Sequence, residues 1–267
     1  MSQPLSAADT YVLITGASSG LGAGFAREFA RRGYALILTA RREERLRELR
    51  DELLAADSAL AVQIIAADLG ADGGAQKIFD ECRHQGWRVG GLINSAGLGV
   101  NKSFARLTPA QVAAMLRVNV TGLVELTRLA LPQLVEARRG FVLNIASTAG
   151  FQPVPYFSVY AATKSFVLTF SEGLHEELRP RGVLVSCLCP GPVDTEFQQV
   201  AGMSPRFFAR SQSVPEVVAS GLRALEHGRA VAWSSWFQRV SSAVSEISPR
   251  RVRRRVAAWL MVQSGAA

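Results

Sequence analysis

Lysine is the scarce cation in this chain. Of 30 basic residues 27 are arginine, and Lys77, Lys102 and Lys164 are the only lysines. Cysteine is equally rare: Cys82, Cys187 and Cys189 form neither a secreted disulfide framework nor a metal-ligand set. Cys187 and Cys189 stand two apart in an apolar run, so they share one side of a strand and read as small core residues. No apolar run approaches the roughly eighteen residues of a membrane span. The opening "MSQPLSAADT" has neither a basic nor an apolar signal segment, which argues against secretion and for a cytoplasmic protein. Acidic residues thin out late in the chain. Of the net charge of +8, +7 arises after residue 199, where ten arginines face Glu216, Glu226 and Glu246. The body is close to neutral, which argues against a protein devoted to nucleic acid.

What is present is a regular alternation of short apolar runs with longer amphipathic stretches, the pattern of βαβ units. "YVLIT" (11–15) reads as the first strand, "ALILTA" (35–40) as the second and "AVQIIAAD" (61–68) as the third. Asp72 is placed to cap the helix that follows and stops at Gly86. "VGGLINSAG" supplies a fourth strand, "GFVLNIAS" (140–147) a fifth and "VLVSCLC" (183–189) a sixth, nearly all apolar as a strand covered on both faces should be. Thr108 and Gln111 make a capping box with Pro109 at the first helical position, so a long helix runs from there to about Glu136. Another runs from near Pro155 to Glu177, and "RAVAW" suits a seventh, edge strand. The fold class is α/β: a doubly wound, Rossmann-type parallel sheet in a single domain, with a C-terminal helical extension. A core of about 10–232 contains a substrate region of about 196–228, and a basic tail spans about 233–267.

The turn after the first strand holds Gly16, Ser18, Ser19, Gly20, Leu21 and Gly22 and opens a helix. Glycines there let the backbone approach a pyrophosphate, and the helix N-terminus offers free N–H groups. At the end of the second strand, where a carboxylate would bind the adenosine ribose hydroxyls, stand Ala40, Arg41 and Arg42. Arginine at the positive end of a helix dipole is unfavourable unless an anion lies near. Arg41 therefore points to a 2′-phosphate, favouring NADP(H) over NAD(H).

Tyr160 and Lys164, at i and i+4, share one helix face. A free phenol titrates near 10, too high for a general base, and an adjacent ammonium is expected to lower it. A compact ammonium can also reach two sugar hydroxyls, which a rigid guanidinium fork does less well. Ser147 ends the fifth strand, where its hydroxyl can meet a substrate carbonyl, and Asn119 lies in the long helix between Val118 and Val120, an inner position.

With these residues in order, the sequence resembles the short-chain dehydrogenase/reductase family over about residues 10–197. The family's TGxxxGxG is Thr15 to Gly22, its adenine-contacting aspartate matches Asp68, followed by Leu69, and its NNAG appears as Asn94, Ser95, Ala96 and Gly97. Its YxxxK is Tyr160 to Lys164, and its PG motif matches Pro190, Gly191, Pro192, Val193, Asp194 and Thr195. The resemblance implies hydride transfer between a nicotinamide and a carbonyl or alcohol substrate, in a homodimer or homotetramer. By it, Tyr160 moves the proton, Ser147 holds the carbonyl oxygen, Lys164 binds the nicotinamide ribose, Asn119 positions a relay water and Thr195 meets the carboxamide. A non-catalytic NADP(H)-binding regulator needs no phenol beside the nicotinamide, so the intact set disfavours that reading.

Phe151, Tyr156, Phe157, Phe197, Met203, Phe207 and Phe208 give the substrate region an aromatic character that suits a lipophilic carbonyl or alcohol. In the tail Trp233, Trp236, Phe237, Val240, Val244 and Ile247 recur at helical spacing. After Ser248 and Pro249 come Arg250, Arg251, Arg253, Arg254 and Arg255, opposite Val252, Val256, Trp259 and Leu260. Such a tail can lie on an anionic membrane, pack on another subunit or remain in solvent.

Overall fold

The computed structural model describes residues 10–203 and 211–263. Phe207 and Phe208 lie outside the described residues, as does the side chain of Leu260. The strands are β1 (Tyr11–Thr15), β2 (Ala35–Ala40), β3 (Val62–Ala66), β4 (Val89–Asn94), β5 (Phe141–Ile145), β6 (Leu184–Cys189) and β7 (Val231–Trp233). They form one parallel sheet in the order β3-β2-β1-β4-β5-β6-β7, with β7 at an edge as expected. The helices are α1 (Gly20–Arg31), α2 (Glu43–Ala56), α3 (Gly74–His84), α4 (Pro109–Leu116), α5 (Leu123–Ala137), α6 (Ser158–Leu178), α7 (Glu196–Val200), α8 (Val214–Glu226), α9 (Trp236–Ile247) and α10 (Arg250–Gln263).

Alternation along each strand divides the core between the two faces of the sheet. Val12, Ile14, Leu36 and Leu38 face Phe25 and Phe29 of α1 and Val217 and Leu222 of α8. Leu13, Ile37 and Leu92 face Ile78 of α3 and Leu126 and Leu134 of α5. Because both faces are covered, the strands are apolar throughout, and crossovers leave the first strand toward β2 and return toward β4. The strand order thus reverses between β1 and β4, where their carboxyl ends open a crevice.

Two local expectations change in detail. Asp72 does not cap α3: its side chain is 92% exposed, and Gly73, at φ 71°, occupies the cap position. A left-handed residue is needed to turn the chain into the helix there, and glycine adopts it without strain. The helix starting after Thr108 does run to Ala137, but through a π-helical segment, Arg117–Gly122, which holds Asn119. All three cysteines are free and buried, and the Cys187 and Cys189 sulfurs lie 3.8 Å apart, on one side of β6 as their spacing predicts.

Candidate active site

A cavity of about 520 Å³ opens at the carboxyl ends of the central strands. One end is built by the glycine loop. Gly16 has φ +67°, and a Cβ there would lie 2.9 Å from the backbone of Ala96, while a Cβ at Gly22 would lie 2.3 Å from the Gly16 carbonyl. The loop is therefore pressed between α1 and the chain leaving β4. Thr15 fastens that contact, its hydroxyl accepting from the Ser95 and Ala96 amides at 3.0 and 2.9 Å. Gly22→Ala should lower stability by about 1–3 kcal/mol, because the added methyl forces the Gly16 carbonyl aside. A melting curve beside that of the unsubstituted protein checks it.

The start of α1 has the makings of an anion site. Its cap residue Ser19 makes no side-chain capping bond, and the first turn carries no acidic residue. Arg42 reaches back across this turn, donating to the hydroxyls of Ser19 at 2.9 Å and Ser18 at 3.2 Å and pairing with Glu196 at 2.9 Å. Arg41 and Asp68 are exposed and line the same cavity. Asp68 accepts from the Gly70 amide at 2.9 Å, and Leu69 packs on Gly122 of the π segment, where a Cβ would lie 2.6 Å from its Cγ. The Thr39 hydroxyl is buried beside the cavity without a hydrogen-bond partner. Glycines that leave no room for a Cβ, an uncapped helix end and two guanidinium groups together fit a dinucleotide phosphate backbone.

At the other end Tyr160 and Lys164 are buried on one face of α6, as the spacing predicts. Lys164 donates to the Ile145 carbonyl at 2.7 Å, and its Nζ lies 5.7 Å from the centre of the Tyr160 ring. Ser147 follows β5, accepts from the Ala149 amide at 3.1 Å and hydrogen-bonds Tyr160. Asn119 stands behind this pair. Its amide donates to the Leu98 carbonyl and the Thr163 hydroxyl at 2.9 and 3.0 Å, and its carbonyl accepts from the Leu98 amide at 2.9 Å. A Cβ on Gly97 would lie 3.4 Å from both Asn119 Oδ1 and Lys164 Nζ, so Gly97 is where the two groups converge.

Burial dominates the electrostatics. It pushes the Tyr160 phenol up to about 12, against the Ser147 hydrogen bond that pulls it down. It brings Lys164 down to about 8, with Cys187 and Cys189 acting in the other direction. The phenol therefore shifts upward and not, as expected from the nearby ammonium, downward, because burial outweighs the Ser147 hydrogen bond. The lysine is committed to a backbone carbonyl and sits over the ring face, while the phenol is withdrawn from water.

A family model for short chain dehydrogenase matches residues 10–204. The chain belongs to the short-chain dehydrogenase/reductase family. As such it is an NAD(P)-dependent oxidoreductase acting on CH–OH and C=O groups. It is 40% identical to sulfoacetaldehyde reductase 2 of Chromohalobacter salexigens over 191 residues, 71% of this chain and 75% of the relative. It is 32% identical to very-long-chain 3-oxoacyl-CoA reductase-B of Danio rerio over 194 residues, and there it spans 71% of itself and 61% of the relative. Among solved structures, a short-chain dehydrogenase from Sphingobium yanoikuyae in complex with NADPH superposes with a TM-score of 0.80 at 33% identity, covering 88% of this chain and 93% of that one.

Within this short-chain dehydrogenase/reductase most residues singled out from the sequence line the cavity: Gly16, Ser18, Ser19, Gly20, Leu21, Arg41, Asp68, Leu69, Ala96, Gly97, Ser147, Tyr160, Lys164, Pro190, Gly191, Val193 and Thr195. Gly22 and Asn119 support it from behind. Asn94 does not reach it: its side chain is buried and donates to Thr127 and Asn144 at 3.0 and 2.8 Å, inside the sheet. Its neighbours Ser95 and Ala96 line the cavity instead. Among the cavity residues to which the sequence reading gave no role are Arg42, Ala257 and Met261. Arg42 was visible only as one charge in a charged helix start. Ala257 and Met261 are four apart on α10, a spacing that could have marked a second face.

On α10, Val252, Val256 and Trp259, read from the sequence as the face opposite the arginines, are 51%, 50% and 60% exposed, whereas Ala257 and Met261 are buried, Met261 in a cluster with Met115, Phe157 and Tyr160. Arg253 sits on the same inward line and donates to the Phe151 carbonyl at 3.1 Å, which fixes the rotation of the helix. No helix of the described residues is long and apolar enough to cross a membrane.

Proposed function

We propose that the protein is an NADPH-dependent reductase of a lipophilic ketone or aldehyde. The observation that carries this reading is the meeting of the Ser147 and Tyr160 hydroxyls on the cavity wall, with Lys164 buried behind them. A bound reduced nicotinamide supplies hydride to the carbonyl carbon. In this reading Ser147 donates a hydrogen bond to the carbonyl oxygen and Tyr160 gives that oxygen its proton. The Tyr160 phenol is protonated at neutral pH and so has a proton to give, as reduction requires. Lys164 holds the nicotinamide ribose, Asn119 fixes the backbone at Leu98 and orders a relay water, and Thr195 meets the carboxamide. Pro190, Gly191 and Val193 close over the ring, and Asp68 with Leu69 borders the adenine.

NADPH is favoured over NADH by Arg41 and Arg42 and by the lack of a carboxylate at Ala40. The cofactor of the Sphingobium protein agrees with this. A lipophilic substrate is favoured by Val154, Phe157, Phe197, Met203, Ala257 and Met261, which line the far end of the cavity. Among the described residues, those lining that end carry no cation. Self-association into a dimer or tetramer belongs to the same proposal.

Loss of nicotinamide absorbance is the test, with NADPH or NADH and a panel running from sulfoacetaldehyde to long-chain and aryl ketones. Turnover confined to the small acid would overturn the lipophilic reading. In the double variant Arg41→Ala, Arg42→Ala, kcat/KM for NADPH should fall about 10–100-fold, the worth of a charged hydrogen bond, with NADH changed far less. Equal losses with both nucleotides would remove the phosphate role.

A further inference from the structure

Helix α9 is inside out. Its polar residues Gln238, Ser242 and Ser245 turn toward the body, while Trp236, Phe237, Val244 and Ile247 are 77%, 64%, 53% and 84% exposed. Helices on a protein surface in water show the opposite arrangement. The inward polar face is firmly held. Gln238 donates to Gln212 at 2.7 Å and accepts from Ser234 at 2.6 Å, and Ser245 reaches the Phe151 carbonyl at 3.4 Å. A Cβ on Gly191 would lie 2.3 Å from Gln238 Nε2, so the helix is seated directly on the loop after β6 and cannot simply roll over.

Helix α10 also leaves apolar side chains outward, although its inward face is mostly apolar too. Arg253, Ala257 and Met261 face inward, while Val256 and Trp259 are 50% and 60% exposed. The two helices meet at Ser248 and Pro249, and Arg253 ties them by donating to the Ser245 carbonyl at 3.3 Å. Arg250, Arg251, Arg254 and Arg255 are all exposed and have no carboxylate partner among the described residues.

We propose that the outward faces of α9 and α10 form a docking surface for an anionic phospholipid bilayer. The apolar side chains supply the buried area, with Trp236 and Trp259 suited to the headgroup level, and the unpaired arginines supply the attraction to lipid phosphate and serine. A second copy of this chain is the poorer occupant. A two-fold contact would set each patch against its own equal, and +7 of the net +8 lies after residue 199. Because the inward face of α10 lines the substrate end of the cavity, docking would hold that end beside the membrane. The inference does not depend on the proposed reaction.

Co-sedimentation of the full chain with vesicles tests it without substrate or cofactor. Binding is expected to phosphatidylcholine vesicles containing phosphatidylserine, to weaken at high salt, and to be absent with phosphatidylcholine alone. Arg254→Gln, Arg255→Gln should lower partitioning roughly 30-fold, about fivefold for each charge removed. Trp236→Ser, Trp259→Ser should abolish it, with melting temperatures that show both variants folded. No sedimentation of the natural chain, equal binding to both vesicle types, or unchanged binding by the folded variants would each overturn the proposal. So would a fall in oligomeric state caused by the tryptophan changes, read by light scattering, because the face would then be an interface between copies.

Discussion

Tyr160→Phe lowers kcat for ketone reduction about 10²–10⁴-fold, the range attributable to a positioned general acid. The ring stays, so its stacking on Phe157, 4.2 Å between centroids, and its contact with Phe197 at 5.5 Å are retained. NADPH affinity, measured by fluorescence titration, should therefore change only a few-fold. That separation between turnover and binding is the informative result. A variant that keeps near-normal turnover would remove Tyr160 from the chemistry. One that loses NADPH binding equally would point to damage of the cavity wall instead.

Lys164→Arg is the second large effect, although it keeps the charge. The Nζ fits between the Ile145 carbonyl, 2.7 Å away, and the backbone at Gly97, in a site the side chain fills at 5% exposure. A guanidinium is larger and planar, and it would press on Gly97 or withdraw its donors from the place proposed for the nicotinamide ribose. Activity should drop at least about 100-fold, together with a lower melting temperature. Near-natural turnover would sink the assigned role. Lysine also differs from arginine in what it can release. Its folded value of about 8 lies below the 10.5 of the free side chain, so between these values the unfolded chain binds more protons than the folded one. Stability attributable to this residue therefore rises with pH from about 8 to about 10.5, and below 8 the folded state carries the cost of a buried charge. The full span is about 3 kcal/mol. Lys164→Met should be flat in that window, and Lys164→Arg should show the cost at every pH, both readable from denaturant midpoints. An identical rise in the methionine variant would assign it to other groups.

Much of this was legible because it depends on local spacing. The two-residue alternation of Val12, Leu13 and Ile14 divides the core between two faces, and four residues of helix suffice to set Tyr160 beside Lys164. Thr108 with Gln111 caps a helix through contacts three residues apart, and that box forms. Asp72 failed as a cap because the helix starts one residue later, with the left-handed Gly73 at the cap position. Asn94 failed as a cavity residue because one step along a strand turns a side chain from the crevice into the sheet, where Asn144 holds it at 2.8 Å.

By itself the sequence determined the strand and helix order, the glycine loop, the tyrosine–lysine face and the family, since each is encoded in neighbours along the chain. Tertiary structure alone decided which face of α10 meets the cavity, that Arg42 spans from the glycine loop to Glu196 at the far side of the mouth, and that α9 turns its apolar side outward. It also reversed the expected shift of the Tyr160 phenol. These outcomes depend on partners distant in sequence and on exclusion of water, and neither spacing nor composition carries either quantity.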